Sequence, residues 1–138
     1  MKLNKKNQLA LEIMITLGSD YDKYYSVTEL ARLRNTTAKY LEQIMSALKK
    51  AGLVAVKGGK YGGYKANITS DSSVYDVICA IEQDLEVVAC KSKGCDKINT
   101  CYTFPVWQQL EDTLIQQTKK MKLQKMITSF IEVKEYES

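Results

Sequence analysis

The fold class expected of this 138-residue chain is mainly α with a small β-hairpin, and three observations predict it. Residues 26 to 50 hold two amphipathic segments separated by the polar run Arg34, Asn35, Thr36. Residues 53 to 68 alternate apolar and polar side chains around Gly58, Gly59, Gly62 and Gly63. Pro105 then opens a stretch with Trp107, Leu110 and Leu114 at helical spacing. Together these have the layout of a winged helix-turn-helix DNA-binding domain plus a long C-terminal dimerisation helix.

Taken in order, Ala10, Ile13, Met14 and Leu17 fall at i, i+3, i+4 and i+7 and predict a helix over residues 5 to 17, ended by Gly18 and the segment SDYDK. Ser26 and Glu29 form S-x-x-E, in which each side chain can satisfy the other's backbone N–H, so a short helix begins there with Val27, Leu30, Ala31 and Leu33 on its apolar side. The next helix is expected from about residue 37 to 50, with Leu41, Ile44, Met45 and Leu48 inward and Gly52 as the left-handed residue that closes it.

Residues 53 to 57 and 64 to 68 read as antiparallel strands, Val54 and Val56 on one side and Tyr64, Ala66 and Ile68 on the other. The glycine loop between them lacks the G-K-[ST] ending and the strand-to-helix context of a nucleotide cradle, so it reads as a wing. Residues 73 to 83 predict a helix with Val74, Val77, Ile78 and Ile81 inward, and Cys79 falls roughly 150° from that stripe. The helix from Pro105 extends to about residue 120, and a second apolar pattern, Leu123, Met126, Ile127 and Phe130, precedes an acidic end expected to fray. Attached to a small DNA-binding domain, this C-terminal part reads as a dimer interface, with packing inside the chain as the alternative. The divisions expected are 1–68 for the winged helix-turn-helix, 69–104 for a linking helix and cysteine-containing sensor loop, and 105–138 for the dimerisation helix and tail.

The hydrophobic fraction of 45% can supply a core. Neither a signal peptide nor a membrane span fits the sequence, so a cytoplasmic protein with no membrane partner is expected. Charge divides along the chain: residues 1–66 carry twelve Lys and Arg against five Asp and Glu, whereas residues 67–138 carry eight against eleven. The basic half contains the helix-turn-helix, which suits a polyanion partner, although a solvated charged surface gives the same pattern. The absence of histidine excludes Ser-His-Asp and Cys-His catalysis, and no enzyme is expected.

The residues expected on DNA are Thr28, Thr36, Thr37, Lys39, Tyr40, Glu42, Gln43, Lys57, Lys60 and Tyr61. Arg34, Lys39, Lys57, Lys60 and Lys65, with the N-terminal lysines, can neutralise phosphates, Gln can address adenine, and Glu can accept from cytosine. Glu42 repels phosphate, so on a DNA face it makes sense only as a base reader; otherwise it is an ordinary exposed acid. Cys90, Cys95 and Cys101 lie in the spacing C-x4-C-x5-C, a flexible thiolate-rich segment suited to an iron-sulfur centre. Structural zinc completed by Cys79, or three free thiols, are the competing readings.

In sequence, MKL, the ALEIM helix, TAKYLEQIMSALKKAGLV, KGGKYGGYKA, VYDVICAIE and the cysteine segment before Trp107 together resemble the Rrf2 family of bacterial winged-helix regulators over nearly the whole chain. The resemblance implies a homodimer on a palindromic double-stranded operator, with recognition helices in adjacent major grooves and wings in the minor groove. It implies that Thr37, Tyr40, Glu42 and Gln43 read bases, that Cys90, Cys95 and Cys101 bind a 2Fe-2S or 4Fe-4S cluster, and that cluster state changes DNA affinity. Some members place a histidine three residues after the last cysteine, where this chain has Phe104; others use an acidic residue from the partner's first helix, where it has Gln8. Gln8 or Glu12 across the dimer, Asp96, or a small molecule are thus the fourth-ligand candidates. The function expected is a DNA-binding repressor controlled by such a cluster, sensing iron-sulfur status, oxidants or nitric oxide. A cluster-free thiol-redox or cysteine-metabolism repressor is the alternative, and a metal-carrying interaction module without a DNA role is a third.

Overall fold

The computed structural model describes residues 3–82, 94 and 101–137. These form six helices and one antiparallel hairpin: α1 (Lys5–Ser19), α2 (Val27–Leu33), α3 (Ala38–Lys50), β1 (Val54–Lys57), β2 (Gly63–Ala66), α4 (Val74–Glu82), α5 (Phe104–Lys120) and α6 (Leu123–Glu137). Helix α1 is the spine, because α3, α4, β2 and α6 all pack on it. Ala10, Ile13, Met14 and Leu17 are its fully buried stripe, and Asn4 caps its start by accepting from the Asn7 N–H. Gly18, expected to end this helix, lies within it. A Cβ there would overlap the Ile127 side chain of α6, so the glycine serves a close helix crossing and not a stop.

Ser26 caps α2 by accepting from Glu29 N at 3.1 Å, as the S-x-x-E pattern predicts. The reciprocal half is absent: the Glu29 carboxylate pairs with Lys23 Nζ at 2.7 Å. Leu30 and Ala31 are buried, but Leu33 is exposed, so the apolar side of α2 is narrower than expected. The turn that follows is a Schellman motif: Thr36 N donates to Ala31 O and Asn35 N to Arg32 O, with Asn35 left-handed at φ 52°. The same motif closes α3, where Leu53 N donates to Leu48 O, Gly52 N to Lys49 O, and Gly52 has φ 77°. Leu48 and Leu53 are both buried at that junction, the apolar contact that usually accompanies the motif.

In the hairpin, Val54 stands opposite Ala66 and Val56 opposite Tyr64. Directly opposed residues share a face, so the apolar residues expected on two sides lie on one, with Val54 and Ala66 buried beneath it. Both strands are shorter than expected, and Ile68 is buried beyond the end of β2. Tyr25 adds a third, one-residue rung: its N–H donates to Tyr64 O at 2.8 Å, and Tyr64 N–H donates to Tyr25 O at 2.7 Å.

Val74, Val77 and Ile78 of α4 join the core, while Ser73 N donates to Asp76 Oδ2 at 2.8 Å and fixes the helix start. The far end is braced against α1, since Glu82 Oε1 accepts from Asn7 Nδ2 at 2.9 Å and Asn4 Nδ2 at 3.3 Å. The C-terminal part divides in a way its periodicity did not foresee. Leu123 and Ile127 are buried against α1, and α6 continues through the acidic stretch expected to fray. Helix α5 buries none of its residues: Trp107 is 38% and Leu110 43% exposed. Backbone hydrogen bonds Val74 N to Met121 O and Leu123 N to Ser72 O, both 2.9 Å, stitch the α5–α6 elbow to the head of α4. No helix among the described residues is long and apolar enough to cross a membrane.

Candidate nucleic-acid interface

The inward stripe of α3, fully buried at Leu41, Ile44, Met45 and Leu48, turns Lys39, Glu42 and Gln43 to solvent. Two other residues expected at base edges have structural duties. Thr37 caps α3, its Oγ1 accepting from Tyr40 N at 3.2 Å, so one of its lone pairs is committed to the helix end. Tyr40 is half-buried against the core. Thr28 is exposed in the first turn of α2, and Thr36 is half-buried in the Schellman turn.

On the wing, Lys57 and Lys60 are exposed, and Tyr61 at the tip is 81% exposed. Lys60 Nζ lies 5.7 Å from the Tyr61 ring centre. The loop geometry depends on glycine: Gly59 has φ 93°, and a Cβ at Gly62 would overlap the Lys57 carbonyl. None of Lys39, Lys57 and Lys60 is ion-paired among the described residues, whereas Lys23 is engaged by Glu29 and Arg34 Nη1 lies 3.7 Å from Glu12 Oε2. The α3 face and the wing therefore present unneutralised cations around one uncancelled acid, Glu42.

Of the cysteine segment, Cys90, Cys95 and Asp96 lie outside the described residues. Cys101 stands just ahead of α5, half-buried and with a free thiol. Its Sγ is 3.2 Å from Thr103 Oγ1. That hydroxyl, followed by the backbone N–H groups of Thr103 and Phe104, holds the thiol below its ordinary range. Among the described residues no three His, Cys, Asp or Glu side chains are grouped to hold a metal ion. Gln8 and Glu12 are exposed one turn apart on α1. Cys79 is half-buried in a shallow groove between the end of α3 and α4, beside Ala51 and Ala80.

The sequence reading overlooked Thr103 and Tyr24, and it placed Asn35 in the turn without assigning its left-handed backbone. Its αL tolerance, two positions past a helix end, is the signal for that role. The thiol partner Thr103 had no comparable signal.

A short capped helix pair, a recognition helix with one polar face and a basic hairpin beside it define a DNA-binding transcriptional regulator of the winged helix-turn-helix class. The chain belongs to the Rrf2 family, whose model, described as an iron-dependent transcriptional regulator, matches residues 3–129. The HTH-type transcriptional regulator IscR of Vibrio vulnificus is 30% identical over 117 residues, 83% of this chain and 70% of that one. IscR of Vibrio parahaemolyticus is 28% identical over 131 residues, 93% of this chain and 78% of that one. Among solved structures, CymR, the global cysteine regulator of B. subtilis, superposes with a TM-score of 0.76 at 25% identity, covering 94% of this chain and 98% of CymR. IscR of T. potens shares the fold, with a TM-score of 0.70 at 23% identity, covering 96% and 90%. These relatives are regulators and not enzymes, and the family sets aside the interaction module without a DNA role.

Proposed function

We propose that the chain is a homodimeric repressor of a palindromic double-stranded operator, controlled by an iron-sulfur cluster, 2Fe-2S or 4Fe-4S, on Cys90, Cys95 and Cys101. In this reading residues 1–68 read DNA, 69–104 carry the sensor, and 105–138 dimerise through α5 and the outward face of α6. Helix α3 enters the major groove with Lys39, Glu42 and Gln43 at base edges and Thr37 and Tyr40 supporting them. Lys57, Lys60 and Tyr61 track the minor groove, and Thr28 and Thr36 meet the backbone beside α3.

The observation that carries the cluster assignment is Cys101, a free thiol held toward its thiolate form at the head of α5. Thiolate is the form that ligates iron, and the N–H groups of Thr103 and Phe104 are suited to hydrogen-bond a ligating sulfur. A bound cluster supplies one-electron chemistry and a centre that oxidants and nitric oxide attack. Gln8 or Glu12 of the partner subunit, or Asp96, completes the ligand set. Glu12 is free enough for this, because its contact with Arg34 is long and exposed.

A cluster-free thiol repressor is the second reading, favoured by the same lowered thiol and by the likeness to CymR. Anaerobic purification followed by reconstitution with iron and sulfide tests the two. The cluster reading expects a coloured protein with visible thiolate-to-iron bands that Cys101→Ala weakens. A colourless protein whose DNA binding still responds to a thiol oxidant overturns it in favour of the second.

A further inference from the structure

The outer face of the wing carries a group of side chains with no duty in the core. Along β1 and β2, Ala55 opposes Lys65 and Lys57 opposes Gly63, so these four share the face opposite Val54, Val56, Tyr64 and Ala66. Tyr25, paired to Tyr64, turns its ring inward and is 7% exposed, so the alternation of an extended segment sends Tyr24 to the outer face. Gly63 leaves room there and must be glycine, since its φ is 145° and a Cβ would overlap the Tyr25 carbonyl. The result is that Lys57 Nζ lies 5.5 Å and Lys65 Nζ 5.4 Å from the centre of the same Tyr24 ring.

Neither ammonium has an ion-pair partner among the described residues. Each ammonium is drawn to the π-system of a neutral ring, which attracts cations without cancelling their charge. A carboxylate in place of Tyr24 would gather the lysines too, but it would remove one of the two charges. We propose that Tyr24 is a positioning residue that steers Lys57 and Lys65 into a two-cation seat for the phosphate backbone of DNA, with the Tyr24 hydroxyl as a third donor. The seat rests on the DNA-binding reading above and adds to it a residue outside the helix-turn-helix and the wing strands. Being a phosphate contact, it acts on affinity and orientation for all sequences alike.

The test measures binding of the full-length protein, purified anaerobically, to labelled mixed-sequence duplex DNA over a sodium chloride series. Tyr24→Leu is expected to weaken binding about 3- to 10-fold at low salt and to flatten the log–log salt slope by up to about 0.9. Tyr24→Phe, which keeps the ring, should retain most of the affinity. Lys65→Gln, a surface change that spares the fold, should flatten the slope similarly, and Tyr24→Leu should lose most of its effect in the Lys57→Gln/Lys65→Gln background. Unchanged slopes for Tyr24→Leu and Lys65→Gln, or an undiminished Tyr24→Leu effect in the double-lysine background, overturn the seat and leave DNA binding standing. Failure of the unaltered protein to bind DNA at any salt overturns the underlying reading, and the seat with it.

Discussion

Adding one methyl group to Gly18 should test whether α6 docks on α1. A Cβ at this position would overlap Ile127 Cδ1 and lie 3.0 Å from Cγ1 and 3.6 Å from Cγ2. Ile127 is 6% exposed, so its side chain has little space into which to retreat. In an uncrowded helix Gly→Ala stabilises by up to about 1 kcal/mol. Overpacking a buried contact costs about 1–3 kcal/mol, so Gly18→Ala should be net destabilising by about 0.5–2 kcal/mol. Ile127→Val deletes Cδ1 and should cost about 0.5–1.5 kcal/mol by itself. In the Ile127→Val background the worst overlap is gone, and Gly18→Ala should become neutral or stabilising, a favourable coupling of about 1–3 kcal/mol. Urea unfolding followed by far-ultraviolet circular dichroism, at one fixed protein concentration to hold any dimerisation constant, reads all four proteins. Gly18→Ala that stabilises the otherwise unaltered protein, with energies additive within about 0.5 kcal/mol, would refute the close crossing.

At Gly52 no atom lies within 4 Å of an added Cβ, so Gly52→Ala isolates the backbone cost of φ 77°. A loss of about 1–2 kcal/mol is expected in the same unfolding measurement, and no loss would show that the Schellman end of α3 does not persist in solution. The lowered pKa of Cys101 gives a pH dependence with a definite sign. Because its thiolate is stabilised chiefly by Thr103, alkylation of cluster-free protein should begin to accelerate at lower pH at Cys101 than at an ordinary thiol. Thr103→Val should move that rise to higher pH, as followed by peptide mapping; an unmoved profile would contradict the hydrogen bond.

What the sequence disclosed well was local. Ser26 and Gly52 mark helix ends because a cap involves residues a few positions apart, and each was found in its predicted role. The buried stripes of α1, α3 and α4 follow directly from their 3.6-residue period. What stayed hidden depended on distant partners. Periodicity shows that Leu123 and Ile127 need a cover but not whether α1 or a second copy supplies it. Glu29 had two possible partners, and Lys23, six residues back and outside the helix, took the carboxylate. The two faces of the hairpin followed from register, which a glycine-rich loop of uncertain length does not reveal. Of the site, the outward position of Lys39, Glu42 and Gln43 was readable from the apolar stripe behind them. Tyr24 was not, because its place on the wing depends on a single rung formed by its neighbour.

That rung has a consequence for solubility. An isolated two-stranded ribbon leaves both outer edges with unpaired N–H and C=O groups, a template on which other chains can assemble. Tyr25 occupies the edge of β2 with a reciprocal pair of hydrogen bonds at its centre. The remaining edge, along β1, is four residues long and ends in Lys57, and a short edge bearing a charge is a poor seed for further strands. A hairpin left exposed on the surface is in this way kept from recruiting copies of itself.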